Sequence, residues 1–344
     1  MMPKKVVTFG ELLLRLSSPG YERLFQSPVL NATFGGGEAN VAVSLAHFGL
    51  SSHFVTRLPE HALGDAALRA LRGEGVNIDF VQRGAERMGI YFAETGASQR
   101  ASSVIYDRAH SAVTALQPES IRWHEVLHGA AWFHTTGITP GLGPGPAGCT
   151  RAALAAAREA GARVSLDLNY RRKLWTEADA RRVMRPLLPY VQLLIANEED
   201  LQAALGLAIP HSDVTRAQLD VDAYRSAAER LVAEEGVAQV AITLRESLSA
   251  SENGWSALLY DGPTKRFYRG PRYVVRLVDR IGGGDSFAAG LVFATLEGQP
   301  PEHALRFAIA ASALKQTIPG DFNRVSVDEV KRLAAGDESG RVRR

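Results

Sequence analysis

Short apolar runs separated by stretches of helical period recur along most of the chain, and this alternation limits its fold more than any other feature. Val6–Gly10, His53–Thr56, Trp132–Thr135, Arg163–Asp167, Gln192–Ala196 and Gln239–Thr243 read as strands. Between them Ala39–Phe48, Ala66–Arg72 and the Ala-rich 147–160 read as helices, the first two ended by Gly49 and Gly73. Strands apolar throughout are covered on both faces. The predicted class is therefore α/β, with right-handed βαβ crossovers and a mostly parallel sheet between two helical layers. A length of 344 residues, 46% of them hydrophobic, suits one large domain over 1–344 with a small appendage.

Two stretches break the rhythm. Residues 11–34 carry polar, Pro and Gly punctuation, and residues 88–108 read as two short strands around a Gly/Ser turn. They form either a small β lid inserted in the core or ordinary surface hairpins. Further on, Asp261-Gly262 signals a hairpin. Helices are expected after the glycines 282–284 and over Glu302–Lys315, and Ser326-Val-Asp-Glu329 is a capping box opening another. Residues 208–222 read as an irregular polar loop.

Several classes of function are disfavoured. The net charge is +2 and the basic residues are scattered, with no stripe for nucleic acid. Cys149 is the only cysteine, so neither an internal disulfide nor a thiolate cluster can form, as suits a reducing cytosol. Glu11 and Arg15 interrupt the N-terminal apolar run, and no run reaches the roughly 20 apolar residues of a membrane span. A soluble, cytoplasmic protein with no membrane partner is expected.

Chemistry concentrates at Val278-Asp-Arg-Ile-Gly-Gly-Gly-Asp-Ser-Phe287. Three glycines lead straight into a helix, where backbone amides can approach an anion and the helix end adds unpaired N–H groups. Such a site suits the charge on a phosphoryl group in transit. Asp285 falls in the first turn, where it is either a plain N-terminal cap or the base that takes a proton from an attacking hydroxyl. No Gly-Lys-Ser/Thr follows, so this is not a Walker A loop, and no acidic ribose ligand follows to make a dinucleotide fingerprint.

Asp279–Asp285 resembles the second signature of the ribokinase-like (PfkB) carbohydrate kinases, Asp-Thr-x-Gly-Ala-Gly-Asp, with Arg280 for the usual Thr and Gly283 for the usual Ala. Gly35-Gly36-Gly37-Glu38-Ala39-Asn40 resembles the family's first signature, and Asn197-Glu-Glu-Asp200 its Asn-x-x-Glu motif with Asp200 one methylene shorter. The order and spacing of the three match the family over nearly the whole chain. The resemblance implies the ribokinase-like fold with a β lid formed by about 11–34 and 88–108. It makes Asp285 the base and the amides of Gly282, Gly283 and Gly284 the anion hole. ATP and Mg²⁺ are the implied cofactors, with room for a monovalent cation such as K⁺ near the anion hole. Asn169, Arg171, Asn197, Thr243, Arg245, Gly282 and Gly284 are implied at the nucleotide, and Asp200 indirectly at the metal. A homo-oligomer is also implied.

Within the family the chain is most similar to kinases of 2-keto-3-deoxygluconate. The lid run Gly89-Ile-Tyr91-Phe with Val104-Ile-Tyr106-Asp-Arg108, and Ser165-Leu-Asp-Leu-Asn169-Tyr-Arg171, carry that likeness. Such a substrate is an acid, and arginine's planar fork grips a carboxylate through two parallel bonds. The resemblance puts Arg108, Arg171, Tyr91 and Tyr106 on the substrate, with Gly35, Gly36, Glu38 and Asn40 at its other end and Asp321 as a further contact. The expected reaction is ATP-dependent phosphorylation at O6. Kinases of the galactonate epimer, of fructose or of ribose are the alternatives, and a non-catalytic sugar-binding regulator is the rival of another class.

Overall fold

The computed structural model describes residues 3–84, 86–207 and 221–341. Ten strands form one twisted sheet with the path β13-β12-β11-β10-β9-β8-β1-β4-β5, and β14 also pairs with β12. Its parallel part comprises β1 (Lys5–Phe9), β4 (Ser51–Pro59), β5 (Val81–Gly84), β8 (Ala130–Thr136), β9 (Arg163–Asp167), β10 (Leu193–Ala196) and β11 (Gln239–Ser247). The expected strands outside 88–108 all lie in this set. The antiparallel flank is β12 (Glu252–Asp261), β13 (Arg266–Arg269) and β14 (Tyr273–Arg276).

Both faces of the sheet are covered, which is why its strands are apolar throughout. Helix Pro144–Glu159 packs on one face with Phe133, Val164 and Leu194. Helices Gly283–Leu296 and Pro301–Lys315 pack on the other with Trp132, Leu193 and Leu259. Both strand and helix ends shifted by a few residues from the sequence reading. The largest shift is at β11. The strand expected to end at Thr243 continues through Arg245-Glu246-Ser247 because β12 pairs antiparallel with it as far as Ser247 opposite Asn253. Cross-strand pairing overrides the local turn preference of these polar residues. Val221 and Asp222 open the helix Val221–Glu235 instead of closing a loop; the rest of that expected loop, 208–220, lies outside the described residues.

A separate four-stranded sheet has the order β3-β2-β6-β7, from β2 (Leu13–Ser17), β3 (Asn31–Gly35), β6 (Ile90–Glu94) and β7 (Ser103–Asp107). These strands come from the two stretches that lack helical rhythm. The inner face carries Leu13, Tyr91 and Ala93, packed against Ile281 just ahead of the glycine run. The outer face leaves Ile105 exposed, whereas Tyr106, paired with Tyr91, is on the inner face. The small sheet is thereby held over the carboxyl ends of the parallel strands, where open α/β sheets bind their ligands.

Candidate active site

A cavity of about 370 Å³ lies between the small sheet and the carboxyl edge of the main one. Its floor is the start of helix Gly283–Leu296. Gly282 takes the N-cap position with φ of 85°, a left-handed conformation that favours glycine. The first intrahelical bond runs from Ser286 N to Gly282 O, so the amides of Gly284 and Asp285 come before it and have no helical partner. Gly284 is exposed to the cavity with nothing packed where a side chain would be. Gly283 differs from expectation. Its amide points back to Arg280 O at 3.3 Å, closing the turn, and is not free for an anion.

Asp285 lines the same floor. Asn40 Nδ2 donates to its Oδ2 at 2.7 Å, while Asn40 Oδ1 accepts from Gly36 N at 3.2 Å. Burial pushes the Asp285 carboxyl up to about 6; the Asn40 bond, Arg171 and Lys315 oppose that, and Asp321 adds to it. A carboxylate so placed is ionised near neutral pH yet basic enough to take a proton. Asn40 was expected to hold the sugar. In the structure both ends of its amide are engaged inside the protein, because helix Gly37–His47 starts beside Asp285 and faces Asn40 toward it.

Several other expected substrate residues also prove to be internally bonded. Glu38 is 1% exposed, and its Oε1 accepts from Thr136 N at 3.0 Å, Thr136 Oγ1 at 2.8 Å and Thr139 Oγ1 at 2.6 Å. Burial raises its pKa to about 7 against those three donors. Tyr91 donates to both oxygens of Asp321, at 2.6 and 2.7 Å, and Arg15 pairs with Asp321 at 2.8 Å and with Asp279 at 2.6 Å. Tyr91 and Asp321 still form cavity wall, but Gly35 does not. A Cβ there would collide with the Asp321 carboxylate, so this glycine serves close packing.

Arg108, Tyr106 and Gly36 do line the cavity. The Arg108 guanidinium stacks 5.3 Å from the Tyr106 ring centroid, and its Nε and Nη2 donate to Glu11 Oε2, the former at 2.8 Å. Nη1 remains for a ligand. Arg171 lies exposed at the mouth, bonded to Tyr170 O at 3.1 Å and paired with no carboxylate among the described residues. Asn169, Asn197, Thr243 and Arg245 complete this end.

Two more acidic residues, Asp200 and Asp167, line the cavity. Asp200 accepts from Tyr170 N at 2.8 Å and Asn197 N at 3.3 Å, and Asn197 Oδ1 accepts from Asp200 N in return. The Asn197–Asp200 stretch is thus a reciprocal cap of helix Glu198–Leu205, which leaves Asp200 poorly placed as a direct metal ligand. Asp167 at the end of β9 was not singled out from the sequence. Burial, together with the charges of Asp200 and Asp285, holds its carboxyl well above the usual range. Among the described residues no three His, Cys, Asp or Glu side chains group closely enough to hold a metal alone. One crowded carboxylate at Asp167 nevertheless fits a hydrated Mg²⁺ whose other ligands are phosphate and water.

Sequence reasoning also passed over Arg280, whose guanidinium lines the cavity with a buried, unpartnered Nε. Burial and the neighbouring Arg245 lower its pKa, a strain that an anion would relieve. Asp167 was within reach of sequence reading, since it ends a parallel strand. Arg280 was not, because only the fold brings it against Arg245.

A parallel α/β sheet, a helix mouth with free amides and a basic carboxylate beside it are the parts of an enzyme that phosphorylates an alcohol. The chain belongs to the pfkB family of carbohydrate kinases, whose model matches residues 3–324, and this family uses ATP. It is similar to the 2-dehydro-3-deoxygalactonokinase of Haloferax volcanii, at 35% identity over 98% of this chain and 99% of that one. The 2-dehydro-3-deoxygluconokinase of Thermoproteus tenax is 30% identical over 92% of this chain and 89% of its own. Among solved structures, the 2-dehydro-3-deoxygluconokinase of Thermotoga maritima superposes with a TM-score of 0.93 and 47% identity, covering 97% of this chain and all of that one. No helix among the described residues is long and apolar enough to cross a membrane.

Proposed function

We propose that this sugar kinase phosphorylates the terminal O6 hydroxyl of 2-keto-3-deoxygluconate. The carrying observation is Asp285, fixed by Asn40 beside the free amides of Gly284 and Asp285 on the cavity floor. In this reading the Asp285 carboxylate accepts the O6 proton as the γ-phosphoryl is transferred in line. The two first-turn amides stabilise the negative charge on the moving group. Arg280 and Arg245 receive the nucleotide phosphates, and Arg171 bridges them to the acceptor. Mg²⁺ delivered with the nucleotide, held through Asp167, would neutralise phosphate charge. The sugar acid's carboxylate meets Arg108 Nη1 and Arg171, and the small sheet acts as a lid that keeps water out.

Relatives named for both the gluconate and the galactonate acid favour a keto-deoxy acid substrate over a neutral sugar. The galactonate epimer is the second reading, supported by the Haloferax relative. An ADP-release assay with both keto-deoxy acids, fructose and ribose at equal concentration tests this. The acids should dominate kcat/KM, with the gluconate acid first. Comparable turnover of fructose or ribose would refute the carboxylate grip. Asp285→Asn should bind substrates but turn over at least about 10²-fold more slowly, the low end for a general base; near-normal turnover removes the base assignment.

A further inference from the structure

A buried lysine lies behind the glycine run that opens helix Gly283–Leu296. Lys315 ends the helix Pro301–Lys315 and is 0% exposed. Its Nζ donates to the carbonyl oxygens of Asp279 at 3.3 Å, Ile318 at 3.3 Å and Gly320 at 2.6 Å. Three acceptors match the three hydrogens of an ammonium, whereas a neutral amine offers two. A shell of backbone carbonyls is also what replaces the water of a potassium ion in a protein site. The shell comes from two segments, 279–281 leading into the anion hole and 318–321 passing beneath it. A Cβ on Gly282 would lie 3.1 Å from Lys315 Cε, so the charge sits directly behind the glycine run.

Arg15 and Lys315 face Asp279 and Asp321, with the Asp285 carboxylate also acting on Lys315. The Asp279 carboxylate is further held by Ile281 N at 3.1 Å and Gly320 N at 3.0 Å, which ties the same two segments together.

We propose that the Lys315 ammonium stands where a monovalent cation would sit beneath the anion hole, making catalysis independent of added potassium. Lys315 is a positioning residue. It holds the two segments in register, and its field favours negative charge above Gly282–Gly284. This rests on reading Gly282–Asp285 as the phosphoryl site.

The test compares K⁺, NH₄⁺ and tetramethylammonium at constant ionic strength. Wild-type kcat should change by less than about twofold among them. Lys315→Ala opens the shell; in tetramethylammonium its kcat should fall about 10²-fold, as on removing an oxyanion-stabilising group. K⁺ or NH₄⁺ should then restore at least about tenfold of that loss, and raise the melting temperature of the variant but not of the wild type. A wild type that needs K⁺ overturns the proposal. So does a folded variant that neither cation restores or stabilises. Should the variant not fold, the wild-type comparison decides alone. The thermal shift reports cation entry whatever Asp285 does, so an active Asp285→Asn enzyme would strike the phosphoryl-site reading and leave this measurement standing.

Discussion

Replacing Asn40 with alanine should move the acid limb of the pH–rate profile without lowering the plateau. Asn40 Nδ2 donates to Asp285 Oδ2 at 2.7 Å and so favours the ionised carboxylate. A hydrogen bond to a charged group contributes about 1.5–3 kcal/mol. At about 1.4 kcal/mol per pH unit, its loss raises the Asp285 pKa by roughly one to two units. With the wild-type group at about 6, the variant should titrate between roughly 7 and 8. At pH 6.5 the ionised fraction then falls from about three-quarters to roughly a tenth, while at pH 9 the two enzymes converge. The assay is kcat at saturating sugar and ATP across that range, with ADP quantified directly. If Asn40 instead grips the sugar, KM rises at every pH and the limb stays put. A variant whose acid limb coincides with that of the wild type would refute the reasoning.

Two further predictions concern the buried charges around the site. Arg15→Met leaves Asp279 and Asp321 without their guanidinium and should destabilise the fold by about 3–5 kcal/mol in denaturant titration; a loss well under 1 kcal/mol would show that Lys315 suffices. Glu38 should make stability fall as pH rises, since its folded pKa of about 7 lies above the ordinary 4.5. Its contribution is whole below 4.5 and is lost as pH climbs through 7, a change of roughly 3 kcal/mol that Glu38→Gln should abolish. Parallel stability–pH curves for the two proteins would contradict it.

Some of this was legible in the sequence because it depends on local pattern. The apolar runs report burial on both faces, and three glycines before a helix report an amide-lined mouth. Asp285 could be read from its place in that first turn. The partners of the other side chains could not. Asn40, Glu38, Tyr91 and Asp321 look like a sugar's contacts when taken as motif members. In three dimensions they are satisfied by Asp285, Thr136, Thr139 and Arg15, residues distant in the chain. The full length of β11 was hidden for the same reason, since the strand that extends it through 245–247 follows only at Glu252.

The amino-acid order alone determined a doubly covered parallel sheet and a glycine-lined helix mouth with a carboxylate in it, because hydrophobic period and glycine conformation act over neighbouring residues. Which polar groups remain free for a ligand was decided only by the folded chain. Burial obliges each buried polar group to find a partner, and that partner is chosen by packing across the fold rather than by proximity in sequence. Lys315 illustrates the difference: as text it is one of 39 basic residues, and only the convergence of Asp279, Ile318 and Gly320 makes it an internal cation.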